Sequence, residues 1–350
     1  MFLLIVSNSS LNINWMILEA QVKKMGQQTE LCVCCSGHEY DRCCRPFHEG
    51  ALPENALQLM RSRYTAYALN IPDYIVSTTH LASPQYSANQ FNWKRSISQF
   101  SQNSCFQKLE ILDFKEKATV ATVTFTAYLS QGAHDATFTE RSYFEKIGSK
   151  WLYRSGRLAQ GHAPNLVIKE PLRLLPLAYY GAPILRKRAE PITVINTHIK
   201  KLVEDMIETM DACDGIGLAA PQVHHSIRLF VMCIPIEIEH NKYERGEVKV
   251  FINPILSLPS EETEKVSEGC LSIPTIRSLV ERPKEITVEY TSLEGLVTVK
   301  RFSGREARVI MHENDHLEGT FFIDKLEEEE RLKWMPILQN LEKNMPLTEH

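Results

Sequence analysis

The stretch His312-Glu313-Asn314-Asp315-His316 has the pattern H-E-x-x-H, and the run before it, from Ser303 to Met311, is typical of a helix. Residues four apart share one face of a helix, so both imidazoles can bind one metal ion and the glutamate can reach a water beside it. Ser303 and Glu306 have the spacing of a capping box, and Gly319 is placed to end the helix. The pattern also arises by chance on surface helices, so it does not establish a catalytic site alone.

Two upstream stretches supply what a catalytic metal site needs. Cys270, within Glu268-Gly269-Cys270-Leu271-Ser272, offers a thiolate that with two imidazoles leaves one coordination position open for water. The stretch Gly215-Ile216-Gly217-Leu218-Ala219-Ala220-Pro221-Gln222 supplies glycines for close backbone approach and an amide that can donate a hydrogen bond. We therefore predict a divalent metal held by Cys270, His312 and His316.

These three motifs, in this order, resemble those of peptide deformylase, and the stretch from Tyr180 to Arg186 resembles the start of that family's domain. The resemblance covers residues 173–325 approximately. It implies a metal-dependent enzyme that removes the formyl group from the N-terminal formyl-methionine of newly made proteins and releases formate. It also implies an α+β domain, with the metal-binding helix packed on a mixed, mainly antiparallel sheet.

The resemblance assigns catalytic roles to three residues. Glu313 would take a proton from water and later give it to the leaving amine. The side-chain amide of Gln222 and the backbone N–H of Leu271 would stabilise the negative charge that develops on the formyl oxygen.

The resemblance also implies how substrate binds. The peptide would lie extended along the backbone of Ile216 and Gly217, as an added strand. The methionine side chain would enter an apolar pocket near Ile216 and Val309, and Arg277 would lie near the peptide backbone. Nascent formyl-methionine polypeptides are thus the expected partners, with the ribosome as a further candidate.

The donor set of one thiolate and two imidazoles accepts Fe²⁺, Zn²⁺, Ni²⁺ or Co²⁺. The resemblance implies Fe²⁺, and iron beside the thiolate of Cys270 implies sensitivity to oxygen. We expect Asp315 to orient a metal ligand, and Asp214 to pair with Arg282 across the site.

A second metal site is predicted near the N-terminus, where five cysteines crowd into thirteen residues. Two close pairs can complete a closed four-thiolate zinc site, which is structural rather than catalytic. The predicted ligands are Cys32, Cys34, Cys43 and Cys44. The spacing resembles the SEC-C zinc motif and predicts a small zinc module over residues 31–50, with Cys35 as a non-ligand and His48 as a rival fourth ligand.

The next segment, residues 51–157, predicts an α+β domain. Apolar residues at helical spacing predict a helix from Pro53 to Tyr67. Alternating residues from Thr122 to Leu129 predict a strand, and the pattern around Gly148-Ser149 predicts a hairpin. The stretches Arg61-Ser62-Arg63-Tyr64 and 138–144 resemble the YchJ-type family, whose middle domain has the nuclear-transport-factor-like (NTF2-like) fold. No catalytic constellation is evident here.

A segment with little periodicity, residues 158–171, predicts a linker, and the deformylase-like domain would occupy residues 172–350. Within that domain the patterns predict a helix over 193–213, strands over 228–234, 250–256, 285–291 and 296–302, and a final helix after Glu327. We expect two self-contained cores that fold separately, each with its own metal.

Composition sets the remaining limits. The 350 residues suffice for two domains, and a net charge of −4 gives no signal for nucleic-acid binding. No apolar run is long enough to span a membrane, and Met1 to Val6 is too short for a secretory signal, so we expect a cytoplasmic protein. Residues 1–30 are expected to be disordered or to precede the true translation start.

Two other functions are compatible with parts of the pattern. A zinc endopeptidase shares H-E-x-x-H, but such enzymes usually complete the site with Glu, His or Asp, and the Gly-rich stretch has no role in that chemistry. A zinc-bearing adaptor is the alternative for the N-terminal half, which could dock a partner or the ribosome.

Overall fold

The computed structural model describes residues 31–167, 173–239 and 242–344, so the predictions for residues 1–30 lie outside the described part. The N-terminal half begins with the cysteine-rich segment and a 3-10 helix, Tyr40–Arg42. Its helices are α1 (Arg45–His48), α2 (Ala56–Ala68), α3 (Pro72–Ser77) and α4 (Gln90–Asn103). Its strands are β1 (Cys105–Glu116), β2 (Val120–Gln131), β3 (His134–Asp135), β4 (Phe138–Ile147) and β5 (Lys150–Gln160).

The five strands form one antiparallel sheet in the order β1-β2-β4-β5, with β3 paired to β2. The predicted alternation in β2 has a direct structural meaning. Val123, Phe125 and Leu129 join the core that the sheet shares with α2. Thr122 and Thr124, which point to the opposite face, are also buried. Both faces of this sheet are therefore covered.

The C-terminal half has a different sheet. Its strands are β6 (Gly217–Ala219), β7 (Leu229–Cys233), β8 (Ile236–Glu239), β9 (Lys242–Glu244), β10 (Val248–Ser257), β11 (Thr263–Cys270), β12 (Ile273–Pro283), β13 (Glu285–Thr291) and β14 (Val297–Ser303). Its helices are α5 (Thr197–Ala212), α6 (Gly304–Leu317) and α7 (Glu328–Asn344). The main sheet runs β14-β13-β10-β7-β6, and β11 pairs with β12. These strand pairs are antiparallel, and an isolated parallel bridge joins Glu190 to Ile227.

Helix α6 carries the H-E-x-x-H motif and packs on the main sheet through Ala307, Ile310 and neighbouring apolar residues. The predicted capping box is wrong: Ser303 is the N-cap residue, but its side chain makes no capping hydrogen bond. Glu306 instead pairs with Lys249 on β10, a tertiary contact that the local pattern cannot show. Gly319 follows the helix at φ 72°, where an added Cβ would lie 2.7 Å from the Arg186 carbonyl oxygen, so only glycine fits this turn.

The two halves share one hydrophobic cluster, which corrects the expectation of separate cores. Val120 and Tyr143 of the N-terminal sheet pack in the same cluster as Leu177 and Met206 of the C-terminal half. Helix α5 lies between them, and Arg157 forms an ion pair of 3.5 Å with its Asp211. Strand β5 continues to Gln160 and so includes the first three residues of the predicted linker, 158–171. The sequence predicted the apolar face of α5 that packs within the C-terminal half. It did not predict the contact between α5 and the N-terminal sheet.

Candidate active site and metal centres

The side chains of Cys270, His312 and His316 meet at the junction of β11 and α6. Their ligand atoms lie within 4.8 Å of one another, and the Cys270 Sγ lies 3.2 Å from the His316 Nε2. The two rings stand nearly perpendicular, 5.2 Å apart, as expected for residues one helical turn apart that converge on a point. Both histidines are buried. A half-buried thiolate and two buried imidazoles at this spacing fit a tetrahedral metal with one open position.

Glu268 fixes the orientation of His312, a role that the sequence motifs did not indicate. Its Oε2 lies 2.9 Å from the His312 Nδ1, which leaves the Nε2 of that ring to face a metal. Burial opposes the charged form, but hydrogen bonds from Arg282 and His312 outweigh it and lower the pKa of Glu268 to about 2. A signal was present, because Glu268 lies two residues before Cys270 and therefore on the same face of β11.

Two arginines complete a buried ionic network around Glu268. Arg282 donates to Glu268 at 2.6 and 2.8 Å, and Arg308 donates to it at 2.8 Å. Arg282 also donates to Asp315 at 2.8 Å. The predicted pairing of Asp214 with Arg282 is therefore wrong, because Arg282 is engaged by Glu268 and Asp315. Asp315 forms ion pairs with Arg282 and Lys325 rather than a contact with a predicted metal ligand, and Arg282 links it to Glu268.

Glu313, next to His312 in the chain, has a buried carboxylate. Within the described part of the chain, the buried Oε2 of Glu313 has no hydrogen-bond partner. Burial raises the pKa of Glu313 to about 7, which suits a group that must both take and give a proton near neutral pH. Gly217 lies against this carboxylate, and a Cβ there would collide with it. The glycine is what allows the backbone of β6 to approach the acid.

Gln222 contacts Cys270 through its side chain, and Leu271 follows Cys270 in the chain. The Gln222 Nε2 lies 3.5 Å from the Cys270 Sγ and 3.2 Å from the Ser272 Oγ, and its Oε1 accepts the Ala219 N–H at 2.8 Å. That acceptor bond fixes which end of the amide carries the hydrogens, so the N–H₂ group faces the metal ligands. Leu271 directly follows Cys270 and is half-buried.

The predicted substrate-binding residues fall into two groups. Gly217 begins β6, which is an edge strand of the main sheet, and Ile216 precedes it. Ile216 packs against the apolar cluster that contains the buried Val309. Arg277 lies on β12, opposite Gly269 in the register, and is exposed. An edge strand beside the site gives an extended peptide a ladder to join.

The N-terminal cysteines also converge. The Sγ atoms of Cys32, Cys34, Cys43 and Cys44 lie within 4.8 Å of one another. Four thiols at such distances, with three of them buried, fit a closed zinc site.

Cys35 and His48, which lie near this cluster in the sequence, form other contacts. Cys35 accepts the Leu109 N–H through its sulfur and has φ 56°, a conformation that favours glycine. His48 bonds the Tyr40 hydroxyl and the Ser62 carbonyl, each at 2.9 Å, so it is not a rival ligand in this arrangement.

Comparison with known proteins identifies both halves. Residues 174–332 match the family model for polypeptide deformylase, and residues 55–156 match that for the middle NTF2-like domain of YchJ. The peptide deformylase of Chlorobium phaeovibrioides is 40% identical over 171 residues, which cover 49% of this chain and 87% of that protein. That of Thermotoga neapolitana is 42% identical over 165 residues, covering 47% and 94%.

Two solved structures are also matched. The crystal structure of peptide deformylase from Thermotoga maritima is 41% identical, with a TM-score of 0.40, and the match covers 44% of this chain and 98% of that one. A Plasmodium falciparum peptide deformylase is 35% identical with a TM-score of 0.46, covering 50% and 99%. The relatives are covered almost end to end by the C-terminal half, and this α+β chain is therefore an enzyme of the peptide deformylase family that carries an additional NTF2-like domain.

Proposed function

We propose that the chain removes the formyl group from the N-terminal formyl-methionine of newly made proteins and releases formate. The observation that carries the proposal is the placement of Glu313. The Oε2 atom of its buried carboxylate has no hydrogen-bond partner among the described residues, and Gly217 of the edge strand lies against its Oε1. The adjacent residue, His312, belongs to the trio of one thiol and two imidazoles. Hydrolysis of a formamide needs a proton shuttle at such a place.

A divalent metal held by Cys270, His312 and His316 would supply Lewis acidity and lower the pKa of water at its open position to about 7. Glu313 takes a proton at its free Oε2 and passes it to the leaving amine. The Gln222 N–H₂ group and the Leu271 N–H donate to the formyl oxygen as it gains negative charge. Each donor of this kind typically contributes about 10²–10³ in rate.

For the substrate, we propose that the formyl-methionine peptide pairs with the free edge of β6 through Ile216 and Gly217. The methionine side chain then packs near Val309, which shares an apolar cluster with Ile216. Arg277 is exposed on β12 and offers a cation toward the peptide backbone. A three-residue edge strand selects for a short extended segment, as a nascent N-terminus provides.

For the metals, we propose Fe²⁺ at the catalytic site, with Zn²⁺, Ni²⁺ and Co²⁺ able to replace it, and Zn²⁺ in the four-cysteine site. All nine cysteines, each within the described residues, are free. Two thiolate sites need a reducing compartment, and we place the enzyme in the cytoplasm on that ground. None of the described helices combines the length and apolar character needed to cross a membrane.

The test is formate release from a formyl-methionine tripeptide by anaerobically purified protein, with metal content measured on the same sample. The unformylated tripeptide is the matched control. We expect formate from the formylated peptide and no cleavage of either peptide bond. Peptide-bond cleavage without formate release would instead identify a metallopeptidase, and the absence of both reactions in metal-loaded protein would refute the proposal.

For the domain boundaries we propose a zinc module over residues 31–50, an NTF2-like domain up to residue 157, and a deformylase domain from residue 172. The N-terminal part is also proposed to dock a partner protein, with the ribosome as the first candidate. Sedimentation of the full chain with ribosomes tests this, with an equal amount of a single-domain deformylase as the control. Equal recovery of both in the ribosome pellet would contradict the docking role.

A further inference from the structure

Four residues, 177–180, form a strap between the N-terminal sheet and the candidate active site. Their hydrogen bonds alternate in direction along the chain. Leu177 N–H and Tyr179 O–H donate to the carboxylate of Glu145 on β4, at 3.4 and 2.6 Å. Ala178 N–H donates to the Gln222 carbonyl at 2.8 Å, and Tyr180 N–H donates to the Ser272 carbonyl at 2.8 Å. One side of the strap is thus bound to the NTF2-like domain and the other side to the deformylase site.

The contact with Glu145 excludes water. Glu145 is 2% exposed and Tyr179 is 4% exposed. The ring of His80, itself fully buried, lies against the Tyr179 ring with 5.3 Å between centroids. Hydrogen bonds in such surroundings are stronger than the same bonds at a surface. The strap therefore has one favoured position relative to β4.

The residues that the strap holds on its other side are those beside the proposed oxyanion donors. Gln222 supplies the side-chain amide, and its own carbonyl is the acceptor for Ala178. Ser272 directly follows Leu271, whose N–H is the second donor, and the Ser272 hydroxyl lies 3.2 Å from the Gln222 amide nitrogen. Moving the strap would therefore move the backbone at both donors together.

A second contact from the same sheet supports the strap. Ser155 on β5 donates its hydroxyl hydrogen to the carbonyl of Ala212, the last residue of α5. The chain then turns through Gly215, where an added Cβ would lie 2.9 Å from the Leu271 Cδ1, and enters β6. The N-terminal sheet thus supports both segments that lead into the site.

We infer that Glu145, in the NTF2-like domain, is a positioning residue for deformylation, because it anchors the strap that sets the backbone of Gln222 and Ser272. The inference rests on the proposed function above. It makes the N-terminal half part of the catalytic unit rather than an appendage. Donors to a developing oxyanion act mainly on the transition state, so misplacing them lowers kcat more than it changes KM.

The chain contains a matched control for Glu145. Glu140 lies on the same strand and is also buried, but it is five residues away and so points to the opposite face. Its carboxylate accepts hydrogen bonds from Ser142 and Tyr153, at 2.5 and 3.0 Å, inside the NTF2-like domain. Replacing Glu140 disturbs the same domain without touching the strap.

The experiment compares Glu145→Ala, Tyr179→Phe and Glu140→Ala in the full chain, with formate release from a formyl-methionine tripeptide as the assay. We expect kcat to fall about tenfold or more for Glu145→Ala and severalfold for Tyr179→Phe, with KM within about threefold of the native value, because small misplacements of reacting groups can cost up to 10²-fold. Glu145→Gln keeps one acceptor oxygen and should recover part of the loss. Glu140→Ala should keep a native kcat.

A second readout is hydrogen exchange at the amides of Ala178 and Tyr180, which needs no activity. Both should exchange faster in Glu145→Ala than in Glu140→Ala. Equal kcat and equal exchange in the two variants would overturn the inference. If Glu145→Ala does not fold, Tyr179→Phe decides by the same criteria. If the native chain releases no formate, the proposed function fails, and exchange at these two amides still decides whether Glu145 holds the strap.

Discussion

Replacing Glu268 by glutamine tests the network that orients the catalytic metal site. Each carboxylate oxygen accepts two hydrogen bonds: Oε1 from Arg282 and Arg308, and Oε2 from Arg282 and His312. A glutamine keeps one acceptor oxygen and puts a donor in place of the other. In either orientation of the amide, two of the four hydrogen bonds are lost. The new N–H₂ group then faces N–H donors of Arg282 and of either Arg308 or His312.

The magnitude follows from the partners involved. Hydrogen bonds to charged groups contribute about 1.5–3 kcal/mol each, so losing two costs about 3–6 kcal/mol. Removing one partner of a buried ion pair costs about 3–5 kcal/mol, which agrees with that range. If glutamine no longer accepts from His312 Nδ1, the ring loses its orienting contact, and loss of such a contact weakens metal binding by about 10–100-fold.

The assay is competition between the protein and a chelator for Co²⁺, followed through the absorption of the thiolate-bound ion, together with urea unfolding of the same samples. The control is Glu264→Gln on the same strand, because Glu264 is exposed and only its backbone carbonyl contacts Arg308. A Glu268→Gln variant with cobalt affinity within twofold and unfolding free energy within about 0.5 kcal/mol of native would refute the role given to Glu268.

Four further outcomes are expected. Glu313→Ala should retain the catalytic metal and lose nearly all formate release, since Glu313 is next to the ligands but is not one; simultaneous loss of metal would contradict this. Cys270→Ser should lower metal content measured by elemental analysis, because a hydroxyl is a far poorer ligand than a thiolate; unchanged metal and turnover would exclude Cys270 as a ligand. A chain that starts at Leu166 should aggregate or turn over the tripeptide more than tenfold slower than the full chain, because it exposes the surface that Glu145 covers; equal rates would contradict the shared core. Cys34→Ser should release zinc and lower the thermal midpoint of the N-terminal domain in calorimetry, and a native midpoint would argue against a structural zinc there.

The sequence predicted that Cys270, His312 and His316 would lie together because they belong to short motifs whose spacing has a chemical meaning. His312 and His316 are separated by one helical turn, so local periodicity suffices to place them on one face. Cys270 and Gln222 come from stretches whose composition already resembles a known site. The four predicted strands of the C-terminal half lie within about two residues of β7, β10, β13 and β14, but β6, β11 and β12 beside the site were not predicted.

Contacts between distant charges were not predictable in the same way. Glu268 contacts His312, which lies 44 residues later in the chain. Arg282 forms ion pairs with Glu268 and Asp315, not with Asp214 as predicted. Such pairing depends on which strand lies beside which helix, and no local pattern encodes it. The same reason explains the missed contact between Glu145 and Tyr179, and hence the wrong expectation of two separate cores.

The shared core has a consequence for the order in which the chain folds during synthesis. The N-terminal sheet is complete at Gln160, but α5, which helps to cover its outer face, ends at Ala212, about fifty residues later. At a synthesis rate of about 5–20 residues per second, this face of the sheet stays uncovered for roughly 3–10 s, until α5 has been synthesised. During this interval Tyr143 is exposed and Glu145 stays hydrated at the surface of a nascent chain. Chaperone-free translation should therefore lose more of this protein to aggregation when elongation is slowed between these two points.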